Sequence, residues 1–113
     1  MQKLSITDLN KKDILIVLKK FKLRYDQEGL KIIGLFGSYA KGGNDSYSDI
    51  DIAYEIDKQL FSKKYHDGFS KILRIEEVKG SIEKALHRKV DFVSLQSNNQ
   101  QFIDQVRGEM IYV

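Results

Sequence analysis

Two acidic residues, Asp49 and Asp51, lie two positions apart inside the apolar stretch DIDIAYEI. Residues two apart on a β-strand point to the same side, so these carboxylates are expected to face one direction together. Carboxylates held close repel each other unless a cation lies between them or one of them takes up a proton. The pattern predicts a site for two divalent cations about 3.5–4 Å apart, and Mg²⁺ suits hard oxygen ligands that leave room for phosphate oxygens.

A third acid, Asp91, lies between Val90 and Phe92 in the apolar stretch KVDFVSL. A carboxylate in such surroundings needs a partner, and a strand beside that of Asp49 and Asp51 would supply one. Three carboxylates would then converge as metal ligands, with Asp91 completing the second metal site or accepting a proton from an attacking hydroxyl. Taken singly, each acid is more simply explained as a solvated or salt-bridged residue, and only their joint occurrence favours the site.

Gly37 and Ser38 end the preceding apolar run, and ten residues separate Ser38 from Asp49. Glycine lets the backbone approach a phosphate closely, and the serine hydroxyl can donate to a phosphate oxygen. We therefore predict that this pair binds phosphate beside the carboxylates. Lys41 could contact a phosphate too, with a solvated loop lysine as an equal alternative.

The strands that must position these residues follow from the spacing of apolar side chains. Leu30–Phe36 is an apolar run typical of a buried strand. Asp49–Ile56 alternates, with its isoleucines and Tyr54 on one face and its aspartates and Ala53 on the other. Lys89–Leu95 is predicted as a third strand, which would bring Asp91 into the same sheet.

Three helices are predicted around these strands. Thr7 or Asp8 is expected to cap the first helix, which runs to about Glu28. The second spans about 67–86, and the third is opened by a capping box of the form Ser-x-x-Gln at 97–100. The core stripe of the second helix is predicted to comprise Ile72, Ile75, Val78, Ile82 and Ala85.

The order helix, strand, loop, strand, helix, strand, helix favours an α/β sheet covered by helices. The short apolar end 111–113 is expected to dock on that sheet. We expect His66 and His87 to lie on the surface, and Tyr39, Tyr47 and Tyr65 to serve in packing rather than binding.

The composition narrows the class of protein. With 113 residues, 42% of them apolar and 31% charged, residues 1–113 are predicted to form one globular domain. The absence of cysteine excludes disulfides and zinc–thiolate sites and favours the cytoplasm. No run is long enough to span a membrane, no signal peptide is visible, and a formal net charge of +3 is too small to indicate nucleic-acid binding.

The combination of motifs resembles a known family. Gly37-Ser38, ten intervening residues and Asp49-Ile50-Asp51 resemble the Gly-Ser-x10-Asp-x-Asp signature of nucleotidyltransferases of the DNA polymerase β superfamily. The stretch GSYAKGGNDSYSDIDIAYEI is similar to the minimal nucleotidyltransferases (MNT) in particular, and Asp91 matches the third acid of that family in type and place. The resemblance covers about residues 30–95.

The resemblance implies a palm-like fold with a small mixed sheet of three or four strands, and transfer of a nucleoside monophosphate from a triphosphate to a hydroxyl. ATP is the nucleotide that the family most often uses. Asp49 and Asp51 would ligate two Mg²⁺ ions, Asp91 would be the third catalytic carboxylate and metal ligand, and Gly37 and Ser38 would bind the triphosphate. Pyrophosphate would leave.

Because the chain is short, the acceptor would be held by another chain or by a second copy in a homo-oligomer. Small proteins of this kind resemble the antitoxin half of HEPN/MNT toxin–antitoxin pairs, which implies AMPylation of a tyrosine on a HEPN ribonuclease. Three alternatives stay open. They are a non-catalytic nucleotide-binding antitoxin that neutralises its toxin by direct binding, a small-molecule nucleotidyltransferase, and nucleic-acid binding through the lysine-rich first helix.

Overall fold

The structure, a computed structural model, describes residues 9–42 and 49–113, which form one mixed sheet with helices on both faces. The strands are β1 (Leu30–Phe36), β2 (Ile50–Ile56), β3 (Val90–Ser94) and β4 (Ile111–Tyr112), in the spatial order β3-β2-β1-β4. The helices are α1 (Lys11–Tyr25), α2 (Gly37–Lys41), α3 (Lys58–Lys64), α4 (Gly68–Leu86) and α5 (Gln100–Glu109). The predicted fold class, with helices around a small mixed sheet, is confirmed.

Strand direction explains how the chain closes this sheet. β1 and β2 pair antiparallel, and β4 pairs antiparallel with the other edge of β1. β2 and β3 pair parallel, because α3 and α4 carry the chain back before β3 begins. The predicted docking of the apolar end is confirmed by the pairing of Ile111 with Leu35. Gly34 makes this possible, since a Cβ on it would lie 2.3 Å from the Ile111 carbonyl oxygen.

Helix α1 buries Ile14, Leu18, Phe21 and Tyr25 on one face, but it begins later than the sequence predicts. The side chain of Asn10 accepts a hydrogen bond from the Asp13 N–H at 3.0 Å and caps the helix at Lys11. The prediction that Thr7 or Asp8 is the cap was therefore wrong, and both lie outside the described residues. The helix gives way to a 3₁₀ turn, Asp26–Glu28, which is followed by Gly29 with φ of +94°, so the predicted end near Glu28 is confirmed.

Helix α4 matches its predicted bounds, but its core stripe was predicted in part incorrectly. Val78 and Ile82 are buried as expected, whereas Ile72 is 65% exposed and Ala85 is exposed. The buried positions continue to Leu86 at a spacing of four, which turns Ala85 toward solvent. In the N-terminal half of the helix, the residues that face the core are only partly buried. Arg74 is one of them, whereas Ile72, which was predicted to face the core, does not.

Two local predictions were wrong. Helix α3 was not predicted, and Asp57 caps it by accepting the Leu60 N–H at 3.2 Å. Helix α5 begins at Gln100 because Asn99 accepts the Phe102 N–H at 3.1 Å. Ser97 accepts the Asn99 N–H instead of capping the helix, so the capping box does not form.

The two faces of the sheet differ in how deeply they are buried. Ile50 and Ile52 of β2 point into the larger cluster, which α1 and α4 cover. Ala53 points to the other face, into a smaller cluster with Val106 of α5. Asp51 also points to that second face, near the start of β2, and it is only partly buried there. None of the helices within the described ranges has the length and apolar character that a membrane span requires.

Candidate active site

Asp51 and Asp91 lie side by side at the start of two neighbouring strands. The parallel register of β2 and β3 places Asp51 opposite Asp91, while the antiparallel register with β1 places Asp51 opposite Phe36. Side chains opposite each other in a sheet point to the same face, so the two carboxylates share the face covered by α5.

The surroundings of Asp51 disfavour its charge. Burial raises the pKa of this carboxyl to about 6, and the negative charges of Asp91, Asp49 and Glu109 contribute to the rise in that order of importance. Asp49 lies just before β2 and is exposed. The site therefore concentrates acidic groups beside a partly buried carboxyl, which is the arrangement that a bound cation would relieve.

Gly37 brings the predicted phosphate-binding turn against these carboxylates. It follows Phe36, the register partner of Asp51, and adopts φ of +75°, a conformation that suits glycine. A Cβ on Gly37 would lie 2.0 Å from the Asp51 Oδ2 atom, so no side chain fits there. Ser38 is the next residue in α2 and is partly buried. The structure thus places Gly37 against Asp51 and Asp51 opposite Asp91, with Ser38 next to Gly37 in the chain and Asp49 exposed just before β2.

The chemistry of this donor set fits a hard divalent cation, because carboxylate oxygens are the ligands that Mg²⁺ prefers. Within residues 9–42 and 49–113, however, no three acidic or histidine side chains are already drawn together as a ligand cluster. Asp49 and Asp91 are exposed and can turn, whereas Asp51 is held in the central strand. A metal at this place would have to gather the exposed carboxylates around Asp51.

Two residues near the turn complete the site, and one of them cannot be anticipated from the sequence. Glu109, the last residue of α5, accepts the Gly37 N–H at 3.3 Å and pairs with the Lys41 Nζ at 3.0 Å. For Lys41, the sequence allows a phosphate contact and a solvated role equally. Nothing in the local sequence around Glu109 indicates this contact, because only the packing of α5 on the sheet creates it.

A buried hydroxyl ties α2 to the chain segment that leads into β3. Tyr39 is buried, as predicted, and its hydroxyl accepts a hydrogen bond from the Arg88 Nε at 3.2 Å. Nearby, the Glu83 carboxylate accepts the Val90 N–H at 2.9 Å. The first contact links α2 to the segment before β3, and the second links the start of β3 to α4. Together they help to fix the position of the strand that carries Asp91 relative to the turn.

The sequence also predicted that two histidines lie on the surface and that three tyrosines serve in packing. His66 and His87 are exposed, as predicted. Tyr65 packs against Phe61 and donates its hydroxyl to Glu28. Tyr47 lies outside the described residues.

Comparison with known proteins gives a consistent result. The family described as "Polymerase beta, Nucleotidyltransferase" matches residues 17–113. A relative from Methanocaldococcus jannaschii, named "Putative protein adenylyltransferase", is 34% identical over 99 residues, which cover 87% of this chain and 91% of the relative. The match to the relative extends over nearly its whole length.

Solved structures agree in fold. One described as a "putative minimal nucleotidyltransferase" superposes with a TM-score of 0.71 at 20% identity, over 93% of this chain and 97% of that one. A toxin–antitoxin complex with AMP-PNP gives a TM-score of 0.59 at 28% identity, over 90% and 71% of the two chains. A complex of tri-AMPylated Shewanella oneidensis HEPN toxin with MNT antitoxin gives 0.53 at 26% identity, over 88% and 70%.

Proposed function

This chain belongs to the polymerase β nucleotidyltransferase family, and on that premise we propose that it transfers AMP from ATP to a hydroxyl of a partner protein. The observation that carries the proposal is the position of Asp51, which lies between the Gly37 turn and Asp91. A triphosphate bound at the Gly37 turn would therefore lie next to the carboxylates of Asp51 and Asp91. The relative named as a protein adenylyltransferase supports a protein acceptor.

Each residue has a defined part in the proposed reaction. Gly37 and Ser38 would bind the triphosphate through a backbone N–H and a hydroxyl. Asp49, Asp51 and Asp91 would hold Mg²⁺, which when bound would offset the negative charge of the phosphates. Asp91, on the edge strand and exposed, would accept the proton of the acceptor hydroxyl. The hydroxyl oxygen would then bond to the α-phosphorus as pyrophosphate leaves.

The acceptor we propose is a tyrosine of a HEPN-type toxin, for which this chain would be the antitoxin. Two structurally similar chains come from toxin–antitoxin complexes, and one of these contains an AMPylated HEPN toxin. The described residues form little beyond the sheet and its helices, so the acceptor would have to be presented by another protein or by a second copy of the chain. The cytoplasm is the compartment where we expect the pair to act.

The test is label transfer from α-labelled ATP, with Mg²⁺, to the protein encoded by the neighbouring gene. We expect the wild type to label that protein and Asp51→Asn to lower the rate by about 100-fold or more, since a group central to charge stabilisation is removed. Asp104→Asn is the matched control, because Asp104 is an exposed acid on α5 that accepts a hydrogen bond from Gln100. Equal labelling by wild type and Asp51→Asn would refute the proposal.

One observation favours a second candidate, a non-catalytic antitoxin that neutralises its toxin by direct binding. The described carboxylates are not yet gathered as a metal-binding cluster. On this alternative, the double variant Asp49→Asn, Asp51→Asn would still protect cells from the toxin. Loss of protection by a double variant that still binds the toxin would exclude it.

A further inference from the structure

Helix α4 carries an apolar cluster on its outward face, which the described part of the chain leaves open to solvent. The cluster consists of Phe69, Ile72 and Leu73, which are 76%, 65% and 52% exposed. Spacings of three and four residues place these side chains next to each other on the helix surface. Together they expose on the order of 400 Å² of apolar surface, a size that often marks an interaction site on a soluble protein.

The α4 cluster lies away from the candidate active site. Helix α4 covers the face of the sheet that Ile52 enters, whereas Asp51 points to the opposite face. The helix ends at Leu86, just before the strand that carries Asp91, so Leu73 lies about 20 Å along the helix from that end of the sheet. A molecule docked on the cluster would leave the carboxylates open, which argues against the acceptor as its occupant.

Charges of opposite sign flank the two ends of the cluster. The flanks are formed by exposed residues, which are Lys63, Lys64 and His66 before the cluster and Glu76 and Glu77 after it. Asp67 interrupts the basic flank, but its side chain caps α4 by accepting the Ser70 N–H at 2.7 Å. If two such surfaces meet antiparallel, the basic flank of each lies against the acidic flank of the other. A parallel arrangement would oppose like charges.

We propose that the α4 cluster joins two copies of this chain, with their α4 helices antiparallel across a two-fold axis. A two-fold contact requires a surface that is complementary to itself, and an apolar centre between oppositely charged flanks meets this requirement. Two clusters with their flanks would bury on the order of 1,200 Å² in total, near the lower limit for a specific interface. The dimer is therefore weak, with a micromolar Kd. The inference does not rest on the proposed function, since each copy keeps its own site.

The experiment is sedimentation equilibrium of the full chain at about 1 to 300 µM. We expect the wild type to dimerise as its concentration rises. Ile72→Glu should weaken the dimer by about 10-fold or more, because it places a charge in the apolar centre. Leu23→Glu is the matched control, since Leu23 is an exposed apolar residue of α1 outside the cluster and its change should leave the dimer intact. Circular dichroism would verify that both variants are folded.

The charged flanks are tested separately. Glu76→Lys should weaken the dimer by about 3-fold or more, because it brings a positive charge against the basic flank of the second copy. Asp104→Lys makes the same change on the exposed surface of α5 and should have no effect. Equal Kd values for wild type and Glu76→Lys would contradict the antiparallel arrangement.

Single cysteines measure the orientation directly, because the chain contains none. Ile72→Cys lies near the proposed axis, so two copies should form a disulfide on oxidation. Gly80→Cys is the control, because the two exposed positions would lie roughly 25 Å apart in an antiparallel pair. Cross-linking of both variants would show that the helices run parallel and would refute the arrangement.

Two results of the sedimentation experiment would overturn the inference. One is a wild type that stays monomeric over the whole concentration range, and the other is a dimer that Ile72→Glu leaves intact. If a monomeric wild type bound the protein encoded by the neighbouring gene and Ile72→Glu abolished that binding, the cluster would belong to the acceptor instead. None of these measurements requires AMP transfer, so a failure here is distinct from a failure of the proposed function.

Discussion

Gly37 and Asp51 are in such close contact that a single methyl group on the glycine would overlap the carboxylate, at 2.0 Å from its Oδ2 atom. Gly37 also has a positive φ of +75°. The requirement for glycine at this position is therefore steric as well as conformational. It couples the backbone of the turn directly to the central acid of the site.

We expect Gly37→Ala to destabilise the protein by about 2–4 kcal/mol, from backbone strain together with overpacking against Asp51. The control is Gly42→Ala. Gly42 has a similar φ of +83°, but a methyl group added there would meet no described atom within 4 Å, so only the strain of about 1 kcal/mol applies. Urea unfolding measures both, and equal losses in the two variants would contradict the proposed contact.

The raised pKa of Asp51 predicts how stability depends on pH without metal. Its pKa is raised to about 6 in the folded chain from 3.8, so between these values the native state holds a proton that the unfolded chain has lost. This stabilising contribution is complete below about pH 4 and is lost as the pH rises through 6. Asp51→Asn should remove that loss and be more stable than wild type at pH 7.5 by about 1 kcal/mol, a value discounted for partial solvation. Urea unfolding in EDTA at pH 4 to 8 measures this, and parallel profiles for the two proteins would argue against it.

Binding of Mg²⁺ should reverse this penalty in the wild type. A cation that binds only the native state at ten times its Kd adds about 1.4 kcal/mol to the free energy of unfolding. We expect Mg²⁺ to raise the Tm of wild type and Asp104→Asn, and to leave that of Asp51→Asn and Asp91→Asn unchanged. A Tm increase of the same size in all four proteins would show that the ion binds elsewhere.

The hydrogen bond between Arg88 and Tyr39 should contribute both stability and activity. Tyr39→Phe removes the acceptor hydroxyl, and we expect a loss of about 0.5–1.5 kcal/mol in urea unfolding together with slower AMP transfer, since the turn is held less firmly. Tyr54→Phe is the control, because it keeps the stacking of that ring on Phe92. If both variants behaved alike, the bond would have no special part in holding the turn.

Strand β1 shows where the sequence was sufficient. Its predicted bounds, Leu30–Phe36, match the structure because an apolar run lies between two glycines, Gly29 and Gly37, that both adopt positive φ. Helix α3 shows the opposite case. Its seven residues include Leu60 and Phe61 as the only apolar side chains, which is too short a pattern for periodicity to reveal.

For the site, the sequence indicated the acids and the turn but not how they meet. The alternation of β2 predicts that Asp51 faces away from the isoleucines, yet only the parallel register with β3 brings Asp91 opposite it. Glu109 could not be found in this way, since its contact with Gly37 depends on where α5 ends above the sheet. Strand pairing and helix placement come from tertiary packing, which local patterns do not encode.

The central place of β2 makes the two neighbouring acids unequal in mobility. Asp51 is paired with β1 on one side and β3 on the other, whereas Asp49 precedes the strand and lies outside the ladder. Backbone amides in the middle of a sheet exchange with solvent only in rare openings, while those beyond its end exchange readily. Asp51 therefore keeps a fixed position in the sheet, whereas Asp49 can move. Asp49 can adjust to a charge that shifts between the two carboxylates while Asp51 stays in place.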